Sequence, residues 1–429
     1  MTKPKVVIIG GGFAGVHAAK NLLSSSVEIV LIDRHNYHTF QPLLHHVATG
    51  FIEPEQAAYP LRSYFRNRAN FKFHLAEVQK IDWDNRLVKT NKEIIKYDYL
   101  VMATGSAINY VGVSGAQEYT WNLKTLPAAI SLRNHIWRCL EMAGDRNNNQ
   151  AILTFAVVGG GSTGVEMAGS LAELVRGSMR QDYPDLIPKI RIVLIHSQST
   201  LVNSTPKLHR YTAKKLNQLG VELYLETRVG KVTKEGVALE NGEFIPSHTV
   251  IWTAGVRGNS LNTNAVIPIA SGQRIPVLPT LQLSQFSNVF VAGDLAGSKH
   301  NNHFVPMVAP AAIQQGKAVA RNITRQLLGH KLIPFQYRHL GSMTVISRHS
   351  AIAQIGRLSL TGWFAWLLWL AIHLINLSGI RHRLFVLINW LWSYFTNEQP
   401  HRLICPTRLK TSTQSSQKIS LTATLSNKS

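Results

Sequence analysis

The chain has 429 residues, 45% of them hydrophobic, and its 45 Lys+Arg against 23 Asp+Glu give a formal net charge of +22. That length exceeds one ordinary domain and that apolar share fills a core, which excludes a mainly disordered, collagen-like or fibrous chain. A balance this basic fits an anionic partner, whether nucleic acid, lipid surface or small molecule. The only cysteines, Cys139 and Cys405, stand 266 positions apart, so no CxxC, metal cluster or closely spaced redox disulfide can be built from them.

The chain opens with Val6-Val7-Ile8-Ile9, an all-apolar run that reads as a buried parallel strand. A strand starting at about Lys5 leaves no room for a signal or transit peptide. Gly10-Gly11-Gly12-Phe13-Ala14-Gly15 follows, then a helix to about Leu23 and a second strand from Val27 to Ile32 ending at Asp33. This is a β-α-β unit. A loop and helical region spans Gln41 to Arg68, with shorter strands near Phe71–Leu75 and Leu87–Val88. Tyr99 to Ala103 makes another buried strand, closed by Thr104-Gly105. A helix from Leu126 to Met142 leads into the polar linker 145–150.

The opening pattern then repeats. Strand Phe155–Val158, turn Gly159-Gly160-Gly161-Ser162-Thr163-Gly164, helix Val165–Arg176 and strand Ile192–Ile195 form a second unit, 149 residues after the first. Strands His248–Trp252 and Val289–Ala292 end in Thr253-Ala254-Gly255 and Gly293-Asp294, and a helix runs from Ala309 to Leu328. The predicted fold is therefore α/β, with two Rossmann-like dinucleotide-binding domains and a C-terminal helical region. The expected divisions are 1–120 and 266–330 for one nucleotide domain, 121–150 for a connecting helix and linker, and 151–265 for the other. Residues 331–400 would anchor the protein to a membrane, and 401–429 would be a basic, disordered tail.

Each G-x-G-x-x-G has a mechanical basis: a tight turn, close approach of backbone to a pyrophosphate, and close packing of helix on strand. Gly10, Gly12 and Gly15 supply these in the first unit, and Gly159, Gly161 and Gly164 in the second, both between strand and helix as the motif requires. Asp33, 23 residues after Gly10, can bond the ribose hydroxyls. The matching position of the second unit is His196, so that site lacks the acid that rejects a 2′-phosphate, and NADH and NADPH both stay open. A protonated His196 would favour the phosphate; a neutral strand-end histidine is the alternative. Two dinucleotide sites suggest a held flavin and a diffusing hydride donor. Without a cysteine pair, the reduced flavin must discharge into something that binds directly.

The chain resembles the type II NADH dehydrogenases, single-subunit, non-proton-pumping NAD(P)H:quinone oxidoreductases that carry non-covalent FAD. The likeness covers about residues 5–400. Asp33-Arg34-His35-Asn36 through Gln41-Pro42-Leu43-Leu44 resembles the segment that follows the ribose acid and wraps the flavin. Ala103-Thr104-Gly105 resembles the second flavin-contacting turn, Ala254-Gly255 the loop near both cofactors, and Gly293-Asp294 the element that holds the ribityl and pyrophosphate region. Phe13, Ala14, Ser162 and Thr163 complete the cofactor-binding set.

The resemblance implies that Gln314 and Gln315 offer amides to quinone carbonyls, and that Glu166 positions substrate or supplies a proton. Read alone, Glu166 is an acid favoured by the dipole in the first turn of its helix, and the glutamines are surface residues. His45 and His46, adjacent and with no obvious third ligand, read as packing or loop residues, and no metal site is expected. Nor is calcium regulation, since no acidic twelve-residue loop occurs.

From Lys331 onward, eleven Lys/Arg face a single acid, Glu398, and the same stretch holds the apolar runs Trp363–Leu377 and Leu384–Phe395. At 1.5 Å per residue these helices span about 22 and 18 Å, short of a hydrocarbon core of about 30 Å. Two helices lying in one leaflet are expected; a span extended over Leu360–Ile380 stays open. Trp363, Trp366, Trp369, Trp390, Trp392 and Tyr394 would sit at the headgroups, and Arg381, Arg383, Arg402 and Arg408 would attract anionic lipid. The expected location is the cytoplasmic face of a plasma or thylakoid membrane, with a homodimer possible, a lipid-soluble quinone as acceptor and no nucleic acid. Rival readings are an NADPH-preferring reductase of a biosynthetic naphthoquinone precursor such as demethylphylloquinone, and a non-enzymatic basic membrane- or nucleic-acid-binding protein.

Overall fold

The computed structural model describes residues 3–145, 150–264, 267–396 and 399–404. Cys405, Arg408 and the expected tail beyond 404 lie outside them, as does most of the 145–150 linker. The architecture is one layered plan used twice. In the first sheet the strands are ordered Val289–Val291, Tyr99–Met102, Lys5–Ile9, Glu28–Asp33, Phe71–Leu75, all parallel. Successive side chains of Lys5–Ile9 point to opposite faces. Val6 and Ile8 pack under the helices Phe13–Leu22 and Ala309–Leu327. Val7 and Ile9 pack under a second layer containing Ile81, Val88 and Ile95 from the antiparallel strands Val78–Asp82, Leu87–Thr90 and Ile94–Lys96. Covering both faces explains why the strand is apolar throughout.

The second sheet runs Trp121–Asn122, Thr249–Trp252, Thr154–Val158, Arg191–Ile195, Val221–Tyr224, again parallel. Phe155 and Val157 pack with residues of the helices Leu126–Asp145 and Ser162–Leu174. Ala156 and Val158 pack with the antiparallel strands Val229–Val232, Gly236–Leu239 and Phe244–Pro246. A two-stranded ribbon, Ser106–Ile108 against Val256–Gly258, ties one unit to the other.

The region after 331 departs from expectation. It contains a three-stranded antiparallel sheet, Ser342–Ser347, Ser350–Ile355 and Leu358–Thr361, that the sequence reading did not foresee. The sheet seats on helix Ser162–Leu174 so closely that a Cβ on Gly169 would collide with the Ile346 carbonyl. Helices Gly362–Asn376 and Ile380–Thr396 follow. The extended span over Leu360–Ile380 does not form: Leu360 belongs to a strand, and the chain leaves the helix at Leu377 (ψ 140°) and turns at Gly379 (φ +85°). Among the described residues no helix is long and apolar enough to cross a membrane.

The helix pair is two-faced. Ala365, Trp369, Val386 and Ser393 are buried against the body, while Phe364, Ile375, Ile380, Ile388 and Phe395 are exposed. Trp369 is thus a core residue and not a headgroup anchor. Arg402 is likewise diverted from lipid: its guanidinium holds both carboxylate oxygens of Asp182 at 2.8–2.9 Å. Beside it Gln399 and Ser178 exchange hydrogen bonds, 3.0 Å from the Ser178 amide to Gln399 Oε1 and 2.8 Å from the Gln399 amide to Ser178 Oγ.

Candidate active site

Both glycine turns adopt the same conformation. Gly10 and Gly159 have φ of +108° and +112°, a region only glycine occupies freely. A Cβ on Gly15 would land on the Gly10 carbonyl oxygen, and one on Gly164 on that of Gly159, so helix and strand approach as the motif requires. A Cβ on Gly12 or Gly161 would meet only open space. Each helix N-terminus therefore has open space beside its second glycine, where backbone amides can meet a diphosphate.

Around the first turn the other cofactor-binding residues converge. Asp33 Oδ2 accepts the Gly11 amide at 2.6 Å and its Oδ1 the His35 amide at 2.7 Å, which fixes the carboxylate at the C-terminal end of its strand. Arg34 and Asn36 are exposed beyond it, and the Asn36 carbonyl accepts the Leu61 amide at 2.9 Å. The Ala103 carbonyl abuts Gly10, and Thr104 Oγ1 donates to the Asn259 carbonyl at 2.5 Å, holding the turn that Gly105 completes. Phe13 packs edge-on against His38 and Phe40, carrying the chain to Gln41 and Pro42. Gly293 lies against Ala14.

Asp294, in the turn Gly293–Leu295, accepts from Ser106 Oγ, and Lys124 Nζ lies 2.6 Å from Ser106 Oγ and 3.7 Å from Asp294. Burial pulls the Lys124 ammonium below its ordinary pKa and Asp294 opposes that shift. Sequence reasoning missed Lys124. Its one available signal was a cation just beyond a short strand that pairs beside the second glycine turn.

Around the second turn, Ala254 abuts Gly159, and Thr253 Oγ1 lies 2.8 Å from the Val158 carbonyl and 3.0 Å from that of Gly159. The Gly255 carbonyl accepts the Asn109 amide at the foot of the connecting ribbon. Ser162 and Thr163 are exposed at the helix start, and Ser162 Oγ meets Thr344 Oγ1 at 2.8 Å. His196 Nδ1 accepts the Gly160 amide at 3.1 Å and Nε2 donates to the Thr200 carbonyl at 3.2 Å. With one nitrogen accepting and burial lowering its pKa, His196 is the neutral strand-end histidine, and the protonated phosphate clasp is set aside.

Both glutamines make hydrogen bonds within the fold. Gln314 accepts the Arg338 amide at 3.0 Å and donates to the Arg338 carbonyl at 2.9 Å. Gln315 accepts the Gly293 amide at 2.5 Å and donates to Ser298 Oγ at 3.0 Å. Each amide already spends its oxygen and one N–H within the fold. Gln314 thereby ties the helix to the chain at Arg338, and Gln315 ties it to the turn that carries Asp294.

Glu166 also differs from its dipole reading. It is the fifth residue of helix Ser162–Leu174, its side chain only 12% exposed, and burial raises its carboxyl to about pKa 8 against the opposing pull of the Val345 backbone and Trp369. His45 Nδ1 lies 3.8 Å from Glu166 Oε2. His45 and His46, read as packing residues, are both buried in the short helix Leu44–Ala48 at this carboxyl. Among the described residues no cluster has the makeup of a metal site.

Residues 4–316 match the pyridine nucleotide-disulphide oxidoreductase family. The chain is 35% identical over 417 residues to the type II NADH:quinone oxidoreductase Ndh of Mycobacterium tuberculosis, covering 92% of this chain and 89% of that protein. It is 28% identical to the mitochondrial internal alternative NAD(P)H-ubiquinone oxidoreductase A1 of Arabidopsis thaliana, covering 91% and 84%. Its fold matches the structure of NDH2 from Plasmodium falciparum in complex with NADH, with a TM-score of 0.85 at 19% identity, over 94% of this chain and all of that one. Paired glycine cradles, no cysteine pair at the first of them, and likeness along nine-tenths of the chain lead to one conclusion: this chain belongs to the type II NADH:quinone oxidoreductases within the pyridine nucleotide-disulphide oxidoreductase family.

Proposed function

We infer that the chain oxidises NADH or NADPH and reduces a lipid-soluble quinone, using non-covalent FAD and pumping no protons. The observation that carries this reading is the pair of open glycine cradles joined by the ribbon Ser106–Ile108/Val256–Gly258. Bound FAD would supply the redox chemistry, taking hydride from the nicotinamide and passing two electrons to the quinone. The first cradle would hold the FAD diphosphate at Gly10–Gly15, its ribose at Asp33 and its ribityl chain near Asp294, with Lys124 offsetting the carboxylate charge. The second would hold the nicotinamide nucleotide at Gly159–Gly164, and Ala254-Gly255 would lie between the two. Glu166, carrying a proton at neutral pH, would act at the acceptor side.

The exposed apolar face of the C-terminal helices supports peripheral docking on a membrane in which the quinone dissolves. Docking on the cytoplasmic face and pairing as a homodimer belong to the same proposal. Anaerobic rapid mixing of purified protein with NADH, then NADPH, followed by a quinone, tests it. The expected result is bleaching of a yellow cofactor by the nucleotide and its return with quinone; a colourless folded protein that cannot be reconstituted with FAD refutes it. The NADPH-preferring naphthoquinone reductase is the second reading, kept open by the absence of an acid at the position of His196.

A further inference from the structure

Trp369 is the largest fully buried side chain among the described residues, and among them its indole Nε1 finds no hydrogen-bond partner. A buried tryptophan ordinarily gives this N–H, which can only donate, to an acceptor. Phenylalanine would fill most of the same space without leaving a polar atom dry. Three rings hold the indole where it is. It stacks on His373 at 4.0 Å between ring centres, lies 5.6 Å from His46, and stands 5.8 Å from Trp390 on the neighbouring helix.

The acid it acts on is Glu166. Burial raises that carboxyl to about 8, while the Val345 backbone and the Trp369 indole pull the other way. His45 borders both: its Nδ1 is 3.8 Å from Glu166 Oε2 and its ring centre 6.1 Å from that of Trp369. Its N–H, however, is given to the Pro42 carbonyl. A carboxyl that hands its proton to a quinone leaves an anion in this dry site, and a buried anion without donors is costly. An uncommitted N–H packed beside it meets that charge with no other bond to break. We propose that Trp369 is the positioning residue of Glu166: its N–H, unpaired while the carboxyl keeps its proton, closes on the carboxylate as the proton leaves for the quinone. This rests on the reading of Glu166 as proton donor. Overall, NADH, one solvent proton and quinone give NAD+ and quinol. In the step concerned the Glu166 O–H bond breaks and the proton joins a quinone oxygen, the two electrons having come from NADH. Trp369 itself exchanges no proton, and solvent later restores the one on Glu166.

The titratable groups around the pair are His45 and His46 on helix Leu44–Ala48 and His373 on helix Gly362–Asn376. On the side of helix Ile380–Thr396, where Asn389 meets His401, stand His401 and Glu53, 3.6 Å apart. Along the helix of Glu166 itself, Glu173 follows two turns on and accepts the Arg348 amide. Burial holds His45, His46 and His373 below their usual range, His46 to about 3 and His373 to about 4, so none of the three is a cation near neutral pH. The charge left on Glu166 must therefore be met by neutral donors, and an indole is one. This donor stands on the helix whose other face, with Phe364 and Ile375, is exposed and apolar. The region proposed to rest on a membrane thus also supplies a contact to the chemistry.

The test uses the FAD-loaded enzyme with Trp369→Phe, and with Trp369 replaced by benzothienylalanine, which keeps the indole shape but carries sulfur in place of the N–H. Both should hold flavin and be bleached by NADH at the native rate. In infrared titration, the protonated carboxyl band that Glu166→Gln removes should persist about one pH unit higher, a tenfold weaker acid, because a donor to the carboxylate is gone. With quinone, kcat should fall about tenfold while KM for quinone stays near native. Trp390→Phe deletes the neighbouring unpartnered N–H and should leave band and kcat native. An unshifted band or a native kcat in the flavin-loaded benzothienylalanine variant overturns the proposal, and so does an equal shift in Trp390→Phe. A loss confined to Trp369→Phe overturns it too, since shape and not the N–H would then be at work. If Glu166→Gln reduces quinone at the native rate, the reading of Glu166 falls first; if Glu166→Gln is slow while the benzothienylalanine variant is native, only the role of Trp369 falls.

Discussion

The two glycine cradles share a backbone conformation and differ in the side chain that receives the amide of the middle glycine. Asp33 receives the Gly11 amide on a carboxylate oxygen; His196 receives the Gly160 amide on a ring nitrogen. The backbone task of holding the turn is thus met by either acceptor. What changes is the charge presented to a ribose: an anion in one cradle, a neutral ring in the other. The same geometry can therefore hold one nucleotide permanently and another loosely. The strongest way to break this comparison is to fill each turn. Gly15→Ala should yield protein without flavin, because its Cβ meets the Gly10 carbonyl. Gly164→Ala should stay yellow while its KM for NADH rises about a hundredfold, an effect of roughly 3 kcal/mol. Flavin-to-protein ratio and nucleotide kinetics separate the two, and loss of flavin in both would make the cradles one cooperative unit.

Next in size is the acid itself. Asp33→Ala removes an acceptor that holds two amides, and hydrogen bonds to charged groups contribute about 1.5–3 kcal/mol each. FAD affinity should fall about a hundredfold by equilibrium dialysis of reconstituted protein, with NADH binding unaltered. The reciprocal change, His196→Asp, should shift the ratio of kcat/KM for NADH over NADPH about tenfold toward NADH, through repulsion of the 2′-phosphate. Because His196 is held neutral, native selectivity should not move toward NADPH between about pH 8 and 6. A rise on acidification would mean that the ring is protonated at the phosphate.

How much of this was legible in the residues depended on distance along the chain. The cradles were readable because strand, glycines, helix and acid lie within one short segment, where local turn chemistry dictates the outcome. Residues 342–361 were not read as strands: polar and small residues such as Ser342, Thr344 and Ser350 dilute the alternation, and the burial that orders them comes from helix Ser162–Leu174, far away in sequence. Trp369 looked like an interfacial aromatic because tryptophan on an apolar helix suits either a core or a headgroup layer, and only packing against His46 decides. Gln314, Gln315, His45 and Glu166 carry no periodic signature of their contacts. Their roles arise where three separated segments meet.

The comparison has a finer test in pH. Seven residues after Gly10 stands His17, and seven after Gly159 stands Glu166, each nearly buried on its cradle helix. Burial, helped by Lys20 and Lys317, lowers His17 to about 4, so its contribution to stability is present above about 6.5 and lost as pH falls through about 4. Burial raises Glu166 to about 8 and Glu173, two turns on, to about 7, with Arg348 opposing in the latter. A raised carboxyl works in the other direction: its contribution is full below about 4.5 and lost as pH rises through 7 to 8. The first helix should therefore weaken in acid and the second in base. Glu173→Gln keeps an oxygen for the Arg348 amide and abolishes the ionisation. It should stabilise the protein by about 1 kcal/mol at pH near 8.5 and by nothing measurable near 5, read as Tm in parallel melts. An equal loss at both pH values would mean that Glu173 is already ionised in the native protein, stabilised by Arg348 more than burial penalises it.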